Sequence, residues 1–446
     1  MEAKTRTFHQ KRQALAGKFV LGIDPGKEKH NGAMLDPSGL EQDRAFSFPV
    51  SREGYDTTLW EQIQRRIQNC GPENLVVAIE TSCNLWVTLA HYFHEKGYPV
   101  LLVNPLTTYH ARPMMHHDFS KSDPRDAYLV ADCAQKGSYH LFQTFPPHLK
   151  AAHQLSIAYD KLRKDCTRNI LRLRSLMERV FPEYLNAFNI KTETSLYLLE
   201  RYFLPHHFLA MDIEEEGRVL SKISRSRHGI DTLQKLKAWA QSTIGIPADG
   251  QEEALRIILN GWIAAIRQAQ KQLKIVEKAM VALTQDDPTY RILDSIPNIS
   301  KNLAAQFTAE THGAVRFTHY KQIQKLAGTN VRISDSGTYK GKRRMSKIGN
   351  PRLRRIIFQM TQQTAKVVPQ VRRKFLLREL KKKCYRKNIV ASSSQLLQLI
   401  VALLKEDRCY EERPEQTAAL KPLERRFKAR YKKKQQQRPP RSRRAA

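Results

Sequence analysis

The sequence predicts a chain of three regions: an α/β N-terminal domain, a helical, coiled-coil-like middle and a mostly α-helical C-terminal domain. Three observations predict it. Short apolar runs alternate with helix-period segments over residues 18–150, two long heptad-spaced stretches follow, and the sequence beyond residue 286 is helix-rich and strongly basic. A chain of 446 residues exceeds what one core ordinarily organises, and its 41% hydrophobic content is enough to build several. The expected boundaries are a basic extension (1–17), the α/β domain (18–150), a helical region with an insert (151–285), the C-terminal domain (286–415) and a basic, disordered tail (416–446).

Within the first domain, KFVLGID reads as a buried strand, NGAMLD as its hairpin partner after Pro25-Gly26, and DRAFSFPV as a third strand. A helical stretch is expected over 54–70, a strand at LVVAIE, an amphipathic helix at NLWVTLAHYFHEKG that stops at Gly97, and a strand at PVLLVNP. The segment after Pro105 reads as a loop, and PRDAYLVADCAQKG as a helix stopped by Gly137.

Charge is the least ordinary property. Lys and Arg number 76 against 43 Asp and Glu, a formal net charge of +33. Such an excess repels itself unless a polyanion balances it, which points to a nucleic-acid partner. Six cysteines (70, 83, 133, 166, 384 and 409) show neither zinc-site nor disulfide spacing, which favours a reducing cytoplasm. The N-terminal sequence lacks a signal-peptide core, and the apolar stretch Leu396 to Leu404 is too short to span a bilayer.

Acidic residues sit at telling places. Asp24 ends the first strand, Glu80 ends the fourth, and Asp123 and Asp126 stand three apart at the start of a helix, on one face. Carboxylates gathered at strand ends repel one another unless a divalent cation neutralises them. Phosphoryl-transfer enzymes use such groups to activate one oxygen and stabilise another, with cations roughly 4 Å apart when two are bound. Each residue also has a purely structural reading: Asp24 as a turn residue before Pro25-Gly26, Asp123 as a helix cap before Pro124, Glu80 as a residue near a cap. His91 and His94 on a helix, and His110, His116 and His117 before the aspartates, lack the partners of a zinc site and read as surface or phosphate contacts.

In the middle, the series Leu155 to Val180 and Leu255 to Leu283 repeats at heptad spacing, with Asn169 at a seam position that would select one register. The two segments can pair within one chain or between chains; the proline-punctuated insert 181–252 carries no assignable chemistry. Further on, LDSIPNISKNLAAQFTAETHG suggests two helices around a tight turn, an arrangement that holds phosphate through backbone amides, though Asn298 and Ser300 stand where glycines would ease the turn. From Gly337 to Arg355 there are eight cations and no acid: Lys340, Lys342, Arg343, Arg344, Lys347, Arg352, Arg354 and Arg355. An unmixed run of this kind suits a phosphate-binding surface. Beside it lies Ser336, followed by Gly337, which can approach a scissile phosphate or simply form a turn.

The strings GIDPGKEKH, AIETSCNLW, VLLVNPLTTYHAR and SKSDPRDAYLVADCAQKG resemble the N-terminal domain of the DEDD-type insertion-sequence transposases, the insertion sequence one-ten family. The resemblance implies an RNase H-like (RuvC-like) fold and a Mg²⁺ or Mn²⁺ site at Asp24, Glu80, Asp123 and Asp126, with Pro124 fixing the start of the helix between the two aspartates. SIPNISKNLAAQF, KLAGTNVRISDSGTYKGKRRMSKIGNPRLRR and IVASSSQLLQLIVALLKEDRCY resemble that family's C-terminal transposase domain, whose catalytic serine falls on Ser336, with Ser334 and Ser346 as fallback candidates. It further implies a bridge (guide) RNA and a homo-oligomer, up to a tetramer, in which the metal domain of one subunit meets the serine domain of another. The expected function is therefore a DNA transposase or site-specific recombinase working through a phosphoserine ester. The alternatives are a metal-dependent nuclease or junction resolvase in which water attacks, and a non-catalytic nucleic-acid-binding protein.

Overall fold

The computed structural model describes residues 2–436 apart from Cys83, 117–122, 333–334, 337–338, 342 and 382–383. The chain divides into two compact units, residues 1–144 and 145–446.

In the first unit, α1 (Glu2–Gln13) precedes a meander of β1 (Phe19–Asp24), β2 (Lys29–Leu35) and β3 (Phe46–Pro49). The helical stretch expected over 54–70 is shorter, a π turn at Gly54–Thr58 running into α2 (Leu59–Gln64). Then come β4 (Leu75–Glu80), α3 (Trp86–Glu95), β5 (Val100–Val103), α4 (Pro105–His116), α5 (Asp123–Gln135) and β6 (His140–Leu141). The sheet order is β3-β2-β1-β4-β5-β6, with β1, β4 and β5 parallel and the others antiparallel.

The central strands are apolar throughout because both faces are covered. Leu21, Ile23, Val77 and Ile79 pack with Leu89 and Phe93 of α3, whereas Val20, Val76 and Ala78 pack on the other face with Leu129 and Val130 of α5. Helix α5 lies unusually close: a Cβ on Gly22 would sit 2.2 Å from the Ala127 carbonyl oxygen. Only glycine permits that approach.

The segment after Pro105 is a helix, not the expected loop. Pro105 occupies its first turn, the Asn104 side chain caps it by accepting the Leu106 amide at 2.9 Å, and Pro113 is accommodated inside it. His110 and His116 therefore lie on α4; His117 is outside the described residues.

The second unit is built on two long helices, α6 (Pro147–Val180) and α12 (Glu252–Thr284), which pair within the chain. Between them, α7 to α11 (Tyr184–Ala187, Glu193–Arg201, Pro205–Ala210, Ile213–Ser224 and Ile230–Gln241) form the insert. The pairing is antiparallel: Leu173 and Val180 share a core with Leu255 and Leu259, while Ala152 shares another with Met280. Asn169 does not select a register across this seam; it is half-buried and accepts a hydrogen bond from Arg172 of its own helix at 3.2 Å.

After α12 come α13 (Pro288–Asp294), α14 (Lys301–Thr311) and α15 (Tyr320–Ala327), then a nested ribbon. In it β7 (Val331–Arg332) pairs with β10 (Arg344–Met345), and β8 (Asp335–Ser336) with β9 (Tyr339–Lys340). Helices α16 (Pro351–Thr364), α17 (Pro369–Leu380), α18 (Tyr385–Lys405) and α19 (Pro414–Gln436) complete the unit. By length and composition α18 could cross a membrane, yet Leu396, Leu397 and Ile400 are buried in the protein core. The tail expected to be disordered from residue 416 is helical to Gln436: Leu420 is buried, Arg372 pairs with Glu424, and Arg430 donates to the Leu380 carbonyl. Docking on α17 supplies what its composition alone does not.

One buried carboxylate ties three of these helices together. Glu310 on α14, with no exposed side-chain surface, accepts hydrogen bonds from Ser156 Oγ of α6 at 2.7 Å, Arg352 Nε of α16 at 2.7 Å and Asn350 Nδ2 at 2.5 Å, with His153 Nε2 3.6 Å away. Burial alone would raise its pKa, but these donors outweigh it and hold the carboxyl at about 2, against an ordinary 4.5. A folded-state pKa below the unfolded one means stability that is complete above pH 4.5 and disappears as pH falls toward 2. Glu310→Gln should therefore cost about 3 kcal/mol at neutral pH by leaving Arg352 unpaired. Urea unfolding at pH 7 and at pH 3 checks this: the gap between wild type and variant should narrow at pH 3, and an unchanged gap would show that the ionised carboxylate is not the source.

Candidate carboxylate and serine sites

The sheet register sets two of the four acidic residues side by side. On parallel neighbours, Phe19 pairs with Leu75 and Ile23 with Ile79, so Asp24 and Glu80 follow as the last residues of β1 and β4. Ligands gather at such carboxyl ends of parallel strands. Both side chains are half-buried, which strengthens any charge interaction they make. Asp123 opens α5, one turn ahead of the Ala127 that rests on Gly22; its side chain lies outside the described residues. Asp126, on the same turn, is 6% exposed.

Helix α4 supplies partners to two of these carboxylates. Thr108 Oγ1 donates to Glu80 Oε1, and Arg112 donates to Asp126 Oδ1 from Nε at 3.1 Å and from Nη2 at 2.8 Å. Thr108 and Arg112 are one turn apart and share a face of α4. The sequence reading missed both because Pro113 hid the helix. The signal was present in Asn104-Pro105, a cap followed by a first-turn proline.

The expected convergence of the carboxylates is thus partial. Among the described residues, the group of three potential ligand atoms lying within 4.8 Å of one another is His206, His207 and Glu252, not Asp24, Glu80 and Asp126. Carboxylates crowd only when positive charge accompanies them, and Arg112 provides it to Asp126. The donor set is still all oxygen, as hard divalent cations require.

The histidine group in the insert does not suit a metal. His207 Nδ1 accepts the Leu204 amide at 3.2 Å, so the proton of a neutral ring sits on Nε2 and points to Glu252 Oε1 at 2.8 Å. Nε2 has no lone pair left, and Arg256 Nη2 stands 3.2 Å from it. On α3, His91 pairs with Glu95 at 3.2 Å and His94 sits against Phe142, both surface arrangements.

In the second unit Ser336 lies on β8, inside the excursion between β7 and β10. Its side chain, that of Lys340, and residues Ser334 and Lys342 are outside the described residues. Ser346 is half-buried, its amide donating to the Asn330 carbonyl at 2.8 Å and its hydroxyl accepting the Ile348 amide at 3.4 Å. The basic run splits in two. Arg344 and Lys347 are exposed, and Arg343 pairs with Asp335 at 2.7 Å. Arg352 binds Glu310; Arg354 Nη1 donates to the carbonyls of Ala327 and Lys347 at 3.0 and 3.1 Å; Arg355 reaches Asp160 at 3.4 Å and Gln306 at 2.8 Å. These last three brace the start of α16, whose N-cap is Asn350, rather than present charge to solvent. The turn before α14 forms without glycine, with Asn298 at φ +64° and Ser300 capping the Leu303 amide at 3.3 Å, so that cap uses an amide that a phosphate would need.

Comparison with known proteins covers both sites. A family model for DEDD transposases of the IS110 type, described as a transposase, matches residues 21–182, and another, described as transposase of the IS116/IS110/IS902 family, matches residues 290–376. The first span includes Asp24, Glu80, Asp123 and Asp126; the second includes Ser336. The chain is also 22% identical over 412 residues to the Insertion element IS110 uncharacterized 43.6 kDa protein of Streptomyces coelicolor, covering 88% of this chain and 95% of that one. Two matches to one family, over the carboxylate unit and over the serine ribbon, together with a relative aligned along nearly the whole length, leave a single assignment: the chain belongs to the IS110 family of DEDD-type insertion-sequence transposases.

Proposed function

We propose that this transposase cuts and rejoins DNA through a phosphoserine ester at Ser336, assisted by a divalent cation at Asp24, Glu80, Asp123 and Asp126. The observation that carries the carboxylate half is the register of β1 and β4, which sets Asp24 beside Glu80. The strand order, with an antiparallel hairpin beside parallel strands, supports an RNase H-like reading of the unit. A bound Mg²⁺ or Mn²⁺ would stabilise charge developing on the phosphate oxygens.

The remaining chemistry belongs to the chain. Ser336 Oγ attacks phosphorus, one P–O bond breaks, and the departing oxygen takes a proton to become a hydroxyl. The hydroxyl of another DNA end then attacks the ester, the P–Oγ bond breaks and the serine regains its proton. The ester keeps the energy of the broken phosphodiester, so rejoining consumes no nucleotide. Lys340, Lys342, Arg343, Arg344 and Lys347, around the ribbon, supply charge for the phosphate. Thr108 orients Glu80, and Arg112 holds Asp126, for which a bound cation would compete. The family resemblance supports a structured guide RNA and a homo-oligomer, and the +33 charge fits a nucleic-acid partner of either kind.

Three measurements test this. Ser336→Ala should abolish the covalent protein–DNA adduct seen on denaturing gels, as should Asp24→Ala. An adduct that survives Ser336→Ala moves the nucleophile elsewhere, and nicking without any adduct favours attack by water. Arg112→Ala should cost about 3 kcal/mol in chelator by leaving buried Asp126 without its partner. Millimolar Mg²⁺ should return part of that loss in a thermal melt; no return would remove Asp126 from the cation set. Sequencing of RNA kept by the purified protein through a high-salt wash should yield one enriched species, since non-specific contacts weaken steeply with salt. A random mixture would sink the guide.

A further inference from the structure

The ribbon that carries Ser336 forms only one wall of a larger feature. Facing it across a cleft of about 1290 Å³ are α17 and the first half of α18. The ribbon contributes Arg332, Arg344 and Lys347; the helices contribute Lys374, Arg378, Arg386 and Lys387, and no acidic side chain lines the cleft among the described residues. The nearest acid on the ribbon, Asp335, is already paired with Arg343. Val331, Met345, Val390 and Ala391 supply apolar surface between the charges.

This distribution is costly for the free protein. Lys374 Nζ is half-buried with Ser394 Oγ at 2.6 Å, and burial, then the charge of Arg378, hold its pKa below the ordinary lysine value. Arg386 and Lys387 project from the first turn of α18, where the helix dipole disfavours cations and attracts anions. Elsewhere in this unit two partly buried cations have acids, Arg352 with Glu310 and Arg355 with Asp160. A cationic cleft without acids, at a helix N-terminus and with an apolar floor, has the chemistry of a site for a sugar-phosphate chain.

We propose that the α17–α18 wall, through Lys374, Arg386 and Lys387, grips the backbone of the DNA strand whose phosphate reaches the Ser336 ribbon. This inference rests on the reading that DNA reacts at that ribbon. It assigns a second wall that the basic run at 340–355 does not contain. The occupant is DNA because the strand presented to Ser336 has to continue past the ribbon, and the cleft is the cationic path adjoining it.

The experiment compares three double variants of the full chain, each lacking two positive charges: Arg386→Ala/Lys387→Ala on the helix wall, Arg344→Ala/Lys347→Ala on the ribbon, and Lys271→Ala/Lys274→Ala on the exposed surface of α12. Affinity for a labelled DNA duplex, and for an RNA duplex of equal length, is measured by anisotropy across a salt series, with circular dichroism to show that each variant is folded. Each lost phosphate contact lowers the slope of log affinity against log salt by about 0.9 on duplex DNA. The helix-wall variant should lose about two from that slope on DNA and the α12 variant nothing. An unchanged slope in the helix-wall variant, an equal loss in the α12 variant, or a loss confined to RNA overturns the proposal. The ribbon variant separates the two readings. If it loses slope while the helix-wall variant does not, only the second wall is wrong; if neither loses slope, the DNA-at-the-ribbon reading fails as well.

Discussion

The first unit depends on the approach of α5 to β1 at Gly22. With no Cβ in the way, the Ala127 carbonyl and the Ala131 amide lie against the strand, and the small side chains of Ala127 and Ala131 allow the helix to settle there. Asp24 ends that strand two residues later, Asp123 begins that helix one turn before Ala127, and Asp126 stands next to Ala127. Any residue larger than glycine would lift α5 away and take its aspartates with it. Placement of acidic groups contributed by distant segments is therefore set by a backbone contact that carries no charge.

Charge in the second unit divides according to burial. A cation shielded from water must be paired, and Glu310 and Asp160 serve that purpose for Arg352 and Arg355. Those pairs fix α16 against α6 and α14, and Asn350 passes the constraint to the chain just before it: its amide donates to the Leu326 carbonyl and its side chain caps α16. The ribbon is thus anchored at both stems, by Lys347 on Gly328 and Ser346 on Asn330, while among the described residues the one acid paired with its exposed cations is Asp335. One basic run consequently performs two tasks, bracing at its C-terminal end and presenting charge before it.

Much of the α/β unit was legible because its signals are local. Doubly apolar runs mark β1 and β4, and Gly97 and Gly137 close α3 and α5 with positive φ. Asp24 and Glu80 were readable for the same reason, since strand ends are visible in sequence. Helix α4 was not, because Pro113 reads as a breaker and Pro105 as the close of the preceding strand, so that the local cap by Asn104 passes unnoticed. The internal roles of Arg352, Arg354 and Arg355 were equally hidden: a run of like charges looks the same whether its partners are phosphates or a glutamate 42 residues upstream. The α19 helix escaped for the converse reason, its composition being poor in apolar residues and its docking resting on Leu420, on the pairing of Glu424 with Arg372 of α17 and on the bond from Arg430 to the Leu380 carbonyl.

Helix α4 links the two kinds of residue in the carboxylate site. Thr108 and Arg112 lie one turn apart, the first bound to Glu80 on the sheet and the second to Asp126 on α5. A hydroxyl leaves the charge of Glu80 intact and only orients it, whereas a guanidinium neutralises Asp126 outright. In the proposed site, a cation held by both carboxylates would compete with Arg112 for Asp126 and would leave the Thr108 bond to Glu80 in place. In that site the cost of recruiting Asp126 would fall on α4, and the helix adjoining it, α5, begins with the other aspartate. On the proposed reading, what a cation would gain at Asp126 is reduced by what Arg112 would give up, so cation affinity there would depend on where α4 places Arg112.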